Sequence, residues 1–140
     1  MKLTIEEALL ILSAIKETKA KKAKLAYTLG VNRRRLERET LPIDDARETK
    51  VEFFRQEAEL AEKYGERVDD TTYALKKPVL FKKERDALRK KHKMDQFDKD
   101  MKELMQKEVE IDFHRISLSE IEDEEISADN MYHVMLFIDE

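Results

Sequence analysis

The chain has 140 residues, a length that suits one domain with its own hydrophobic core, taken as residues 1–140. Charged residues make up 43% and the net charge is −4, while the absence of cysteine excludes disulfides, thiolate metal sites and cysteine nucleophiles. The sequence has no signal-peptide layout and no apolar run near the ~20 residues of a membrane span, so we expect a soluble cytoplasmic protein without a membrane partner.

Apolar periodicity and capping residues predict a mostly helical chain. The expected helices lie at about 5–17, 20–40, 42–64, 83–107 and 128–138. Thr4 and Glu7 have capping-box spacing before the first helix, and Pro42 interrupts the second helix but suits the first turn of the third. Gly65 is expected to stop the third helix, and His92 marks the place where the fourth could break.

Strand-like patterns lie on either side of the fourth helix. Strand pieces are expected at 73–75 and 79–81, the second at a sheet edge or a bulge because Pro78 cannot donate a hydrogen bond. Apolar and polar residues alternate after the helix, which predicts a strand at about 108–114 with one buried face. We expect the pieces to pair with this strand, since an isolated strand leaves its backbone groups without partners.

The C-terminal segment combines two capping patterns with an apolar helix. Ser117 and Glu120 have capping-box spacing, and Ser127 can cap a helix that begins at Ala128. This helix is apolar on nearly every side, so the rest of the chain or a partner has to cover it on nearly every side.

Two apolar stripes predict how the long helices pack. The stripe of the 42–64 helix consists of Val51, Phe54, Ala58 and Ala61. The stripe of the 83–107 helix consists of Met94, Phe97, Met101, Leu104 and Met105. We expect a mainly α (α+β) fold, in which an antiparallel pair of long helices carries a small β element and a short apolar C-terminal helix.

Charge is distributed unevenly along the chain. Residues 76–93 contain nine lysine and arginine residues and two acidic ones, a net charge of +7, whereas residues 94–140 have a net charge of −11. The two segments could neutralise each other within one molecule or between subunits. Alternatively, the basic segment could bind nucleic acid or a partner protein with a charged surface.

Residues 24–39 match part of a helix-turn-helix pattern. The small and apolar residues at the required spacings are Leu25, Ala26, Leu29, Gly30, Val31 and Leu36. A recognition helix suited to phosphates and guanine edges would then open with Asn32, Arg33, Arg34 and Arg35. Glu39 occupies a position that should be apolar, and the alternative is a plain helix with no turn at Gly30.

Several segments resemble a family of small uncharacterised proteins of tailed bacteriophages. The matching pieces are Lys24–Tyr27, Leu36-Glu37, Glu62–Gly65, Glu103–Asp112, Leu118–Glu120 and Ile126–Asp129. They span most of the chain and match best in the C-terminal third, while Pro42 and the basic stretch Lys76–Lys93 depart from the pattern. The resemblance implies a phage origin and a location in the bacterial host cytoplasm or the virion, and it supplies no catalytic residue because none is established for the family.

The sequence lacks the arrangements typical of catalysis or cofactor binding. His92, His114 and His133 are isolated, and His133 lies in an apolar stretch that favours a packed side chain over a metal ligand. Asp95, Asp98 and Asp100 lack the glycine and terminal glutamate of a calcium loop, and no glycine-rich phosphate loop is present. We therefore expect no enzymatic activity, no cofactor and no metal.

These observations favour a non-enzymatic protein-interaction factor, which either binds and inhibits a host enzyme or takes part in virion assembly. The partner would be a host or phage protein, or a second copy of the chain. The alternative is a helix-turn-helix regulator that binds nucleic acid through Asn32–Arg35. The candidate interaction surface consists of Arg33, Arg34, Arg35, Lys82, Lys83, Arg85, Arg89, Lys90, Lys91, Glu122, Glu124 and Glu125.

Overall fold

A computed structural model describes residues 1–139 and confirms the mainly α fold. The helices are α1 (Ile5–Glu17), α2 (Ala23–Glu48), α3 (Val51–Tyr64), α4 (Pro78–Lys91), α5 (Met94–Met105) and α6 (Ala128–Val134). The strands are β1 (Lys2–Thr4), β2 (Gly65–Arg67), β3 (Tyr73–Leu75), β4 (Glu108–Glu110), β5 (Ile116–Ser117) and β6 (Ile138–Asp139). Two short 3-10 helices occupy Leu118–Ile121 and Met135–Phe137.

Residue contacts divide the chain into two compact units, whereas the sequence analysis treats it as one domain. Unit 1 comprises Met1–Pro42 and Leu104–Glu140, and unit 2 comprises Ile43–Glu103. Both boundaries fall inside helices, one in α2 and the other in α5. Unit 1 therefore joins the two ends of the chain.

Unit 1 contains a hydrophobic core to which both ends of the chain contribute. Its buried members are Leu3, Ala8, Ile11, Leu12, Ile15, Leu25, Leu29, Leu36, Ile111, Phe113, Ile116, Val134, Phe137 and Ile138. Strand β1 pairs antiparallel with β4, and β5 pairs in parallel with β6. The predicted pairing of residues 73–81 with the 108–114 strand is therefore wrong, because the N-terminal residues supply the partner strand.

Two of the three predicted helix caps are confirmed. Thr4 and Glu7 form the complete capping box of α1, and the Ser127 hydroxyl accepts a hydrogen bond from the Asn130 amide at 3.2 Å. The Ser117 capping box is wrong. The Ser117 hydroxyl instead contacts the Ser119 hydroxyl at 3.1 Å, and a single 3-10 turn follows.

Helix α2 is continuous, so of the two alternatives for residues 24–39 the plain helix is the one found, and the predicted interruption at Pro42 is wrong. Gly30 lies within the helix, which removes the turn of the helix-turn-helix pattern. Pro42 also lies within the helix and does not end it. Leu29, Leu36 and Ile43 recur every two helical turns and are all buried, and we infer that this burial offsets the one hydrogen bond that Pro42 cannot donate.

The predicted bounds of the C-terminal elements need correction. The strand expected at 108–114 ends at Glu110, although Ile111 and Phe113 remain buried and Asp112 exposed, as the alternation predicts. The helix expected at 128–138 ends at Val134. Ile138 instead pairs with Ile116, and both side chains are buried in the core.

Unit 2 is built on a helical hairpin whose connection is a small β-hairpin. Strands β2 and β3 pair antiparallel with Gly65 opposite Leu75, which confirms the strand piece at 73–75. Gly65 ends α3 as predicted, and a Cβ at this position would lie 2.6 Å from the carbonyl oxygen of Ala61. The strand piece at 79–81 is wrong, because Pro78 opens α4, where no N–H donor is needed.

The predicted 83–107 helix is two helices. The first helix ends at Lys91, before His92 and Lys93. Lys93 has a φ of 54°, a left-handed value incompatible with a continuing helix. Helix α3 therefore pairs antiparallel with α4, as the contacts Glu57–Arg85 and Lys50–His92 show. The expected packing of α3 on the 94–105 stripe is seen where Phe54 meets Phe97, with ring centroids 6.5 Å apart.

Candidate interaction surfaces

The three consecutive arginines of α2 differ in whether their side chains already have partners within the molecule. Arg33 forms an ion pair with Glu37 one turn later, at 2.9 Å, and Arg35 donates a hydrogen bond to the carbonyl oxygen of Asp112. Arg34 is exposed, whereas Asn32 is fully buried at 0% exposure. A DNA-reading surface needs Asn32 and the arginines together, so this arrangement disfavours that role.

A polar stripe of α2 instead holds the segment after β4. The Asn32 side chain accepts from the His114 amide at 2.7 Å and donates to the His114 carbonyl oxygen at 3.0 Å. One turn earlier, the Thr28 hydroxyl contacts His114 Nδ1 at 2.9 Å. The sequence analysis missed this site, although two polar residues among the core positions Leu25, Leu29 and Leu36 were a signal for it.

The acidic run after the 3-10 turn lies against the basic stretch that precedes α2. The Glu124 carboxylate accepts hydrogen bonds from the backbone amides of Lys21 and Lys22 at 2.7 to 3.0 Å. These bonds, first that of Lys21 and then that of Lys22, lower the pKa of Glu124 below its usual value of 4.5. Glu125 pairs with Lys21 at 3.2 Å, whereas Glu122 is exposed.

The Glu124 contact also supplies a negative charge that the N-terminus of α2 lacks. The first turn of α2 contains no acidic residue of its own. A carboxylate close to a helix N-terminus interacts favourably with the helix dipole and with amides that lack helical acceptors. Glu124 therefore stabilises unit 1, and the acidic run is partly neutralised within the unit.

The basic residues of α4 fall into two groups. Arg85 pairs with Glu57 at 2.7 Å, and Arg89 pairs with Asp95 at 3.1 Å and with Asp98. Hydrogen bonds from Arg89 to Asp98 and Asp95 raise the pKa of its guanidinium. The second group consists of the exposed lysines Lys82, Lys83, Lys90 and Lys91, and within residues 43–103 no carboxylate lies within 4.0 Å of their ammonium groups.

A groove runs between α3 and α4 and encloses about 450 Å³. Its floor is apolar and consists of Leu60, Ala87 and Leu88. The polar residues at its rim are Gln56, Glu59, Lys63, Glu84 and Lys91. No residue of α4 is buried, and Phe53 is the single buried residue of α3, so this helical pair leaves apolar surface open.

A second cavity, of about 410 Å³, lies in unit 1 between the N-terminal strand and helices α1 and α6. Leu10 and the 73%-exposed Tyr132 flank it, so α6 is not fully covered on the side of this cavity. His133 also lines it, and its buried Nδ1 atom has no hydrogen-bond partner among the described residues.

Residues 1–139 contain no cluster of three or more histidine, aspartate or glutamate side chains that could hold a metal ion. Within the same residues, no helix has the length and apolar character needed to cross a membrane. Comparisons with protein-family models, with curated proteins and with solved structures found no match to this chain.

Proposed function

We propose that this protein is a non-enzymatic interaction factor that binds an acidic surface of another protein through α4. The observation that carries the proposal is the set of four exposed lysines on α4 without carboxylate partners in unit 2. The arginines of the same helix are paired, so the positive charge that remains available is concentrated on these lysines.

The arrangement of the outer face of α4 supports protein recognition. Val79, Lys83, Asp86 and Lys90 recur at spacings of three and four residues, which places them on one face of the helix. Val79 is 80% exposed, so the face combines an apolar contact with separated charges. Charged residues of this kind accelerate the encounter with an oppositely charged partner and discriminate against partners of like charge.

Two roles suit such a factor, both within the proposed phage origin. It captures and inhibits a host enzyme, or it joins other phage proteins during virion assembly. Electrostatic steering favours the first role when the target is present in few copies. The same lysines would also pair with phosphates, so duplex DNA is the competing partner.

An affinity pull-down with matched variants tests the proposal. The test variant Lys83→Glu/Lys90→Glu reverses two charges on the outer face, and the control Lys99→Glu/Lys102→Glu makes the same change on α5. After nuclease treatment of the lysate, we expect the wild type and the control to retain one protein that the test variant loses. Equal retention by both variants, or retention of nucleic acid alone, would contradict the proposal.

The source of the lysate distinguishes the two roles. A host protein retained from uninfected cells supports capture of a host enzyme. Phage structural proteins retained only from infected cells support virion assembly. Either protein should elute at increased salt concentration, since exposed charge pairs are screened over a Debye length of about 8 Å at physiological ionic strength.

A further inference from the structure

Helices α3 and α4 form one layer of a helical bundle without a second layer on the groove side. Each helix has 14 residues, a length of about 21 Å. Helical domains normally bury an apolar stripe against another element, yet Leu60 and Leu88 remain only half-buried and Ala87 is exposed. The groove is therefore an unfilled packing surface.

The charges at the rim of the groove cancel. Glu59 and Glu84 are acidic, and Lys63 and Lys91 are basic. Lys63 and Glu84 lie 3.8 Å apart and Glu59 pairs with Arg55 of the same helix, so the rim favours neither an acidic nor a basic partner. The same rim on a second copy offers two acids and two bases, which a two-fold axis can set opposite groups of the other sign.

We propose that a second copy of this chain fills the groove, so that α3 and α4 of two molecules form a four-helix dimer. The apolar floor residues Leu60, Ala87 and Leu88 are then buried at the centre, as in the core of a helical bundle. The outer face of α4, with Val79, Lys83 and Lys90, is left outside the interface. Dimer formation is thus independent of the binding of an acidic partner.

The size of the groove face sets the expected strength of the dimer. Two helices about 21 Å long and about 10 Å wide present roughly 400 Å² per copy, or about 800 Å² in total. Stable interfaces bury about 1,200 Å² or more, so this dimer is weak.

Sedimentation velocity of the full chain from about 10 μM to about 1 mM tests the dimer. The average mass of the wild type should rise from 16.7 kDa toward twice that value. Ala87→Glu places a charge on the groove floor at an exposed position and should weaken association at least about tenfold. The control Val79→Glu introduces the same side chain on the outer face and should associate like the wild type.

Rim variants test the charge argument without relying on one substitution. Glu84→Lys gives the rim a charge of +2, and Lys91→Glu gives it −2. Each variant alone should associate less than the wild type, and an equal mixture should associate more than either. Far-UV circular dichroism verifies that each variant is folded before the comparison is made.

Three results would overturn the inference. They are a monomeric wild type at about 1 mM, an Ala87→Glu variant that dimerises as the wild type does, and a rim mixture that gains nothing over its components. None of them bears on binding through Lys83 and Lys90, since neither of these lysines lines the groove.

Discussion

The two units differ in how completely they bury their apolar side chains. Of the nineteen buried apolar residues, sixteen lie in unit 1 and three, Ile43, Phe53 and Met94, lie in unit 2. The difference is far larger than the difference in the lengths of the units. Since burial of apolar area is the main favourable term in folding, we infer that unit 1 provides most of the stability and unit 2 keeps apolar surface for a partner.

The polar contacts of the two units differ in the same way. In unit 1, the buried Asn32 side chain satisfies both backbone groups of His114. In unit 2, the contacts of Arg55 with Glu52 and Glu59 are exposed ion pairs within one helix. Exposed pairs contribute little, whereas breaking a buried hydrogen bond leaves an unsatisfied group. The buried Asn32 contact of unit 1 should therefore contribute more to stability than the Arg55 ion pairs of unit 2.

Phe137→Ala should produce the largest effect, because it removes a fully buried ring from the core of unit 1. Phe137 is 0% exposed, and its centroid lies 5.0 Å from that of Phe113. Phenylalanine-to-alanine changes in cores cost about 3–5 kcal/mol. Urea unfolding should show this loss, while the exposed control Tyr132→Ala should change stability by less than about 0.5 kcal/mol. A loss below about 1 kcal/mol for Phe137→Ala would contradict the assignment of the core to unit 1.

Asn32→Ala should have the next largest effect. The substitution removes one acceptor and one donor and leaves the His114 amide and carbonyl without those partners, at a cost of about 1–3 kcal/mol. Arg34→Ala is the matched control on the same helix, since Arg34 is exposed and should contribute little. Amide exchange at His114 should accelerate in the Asn32 variant alone. An unchanged rate there would show that Asn32 does not hold the segment.

The elements predicted correctly depend on local sequence. The capping box of α1, the Ser127 cap and the stop at Gly65 each involve residues within one helical turn, so the sequence alone specifies them. The burial of Ile111 and Phe113 likewise follows from alternation along one extended segment.

The errors have non-local causes. Pro42 has local signals for a new helix, but the burial of Leu36 and Ile43 keeps α2 continuous. Pro78 suits both a strand edge and the start of a helix. The structure has the helix start, and the helix that begins there, α4, packs on α3. The partner of β4 lies more than a hundred residues away, in a three-residue strand too short to show a period.

The sequence predicts which charged residues form the candidate surfaces, but not which of their side chains are free of ion pairs within the molecule. The sequence identifies the basic residues of α4, yet only their positions in the fold show that Arg85 and Arg89 are paired while Lys83 and Lys90 are free within unit 2. The groove between α3 and α4 was not predicted, because the apolar stripe of the 83–107 helix was placed from Met94 onward and did not include Leu88.

Leu88→Ala should have a small effect and thereby sharpen the contrast between the units. Leu88 is half-buried at the floor of an open groove, so its truncation leaves no sealed cavity. We expect a loss below about 1.5 kcal/mol at concentrations where the chain is monomeric, against the 3–5 kcal/mol expected for Phe137→Ala. A loss above about 3 kcal/mol by urea unfolding would mean that unit 2 has a tighter core than its exposed residues indicate.

Glu124→Gln should have the smallest effect, and its dependence on pH identifies the cause. The amides of Lys21 and Lys22 lower the pKa of Glu124, so the folded state binds a proton less readily than the unfolded state, whose value is near 4.5. Glu124 therefore stabilises unit 1 above about pH 4.5, and this contribution is lost as the pH falls through the lowered pKa. Wild type and variant should differ in melting temperature at about pH 7, and the difference should shrink as the pH falls below 4.5 and through the lowered pKa. Glu122→Gln removes an exposed carboxylate from the same run and should show no such convergence. If the difference in melting temperature between wild type and Glu124→Gln does not depend on pH, the effect comes from lost packing and not from the charge. The acidic run would then be as available to a partner as the lysines of α4.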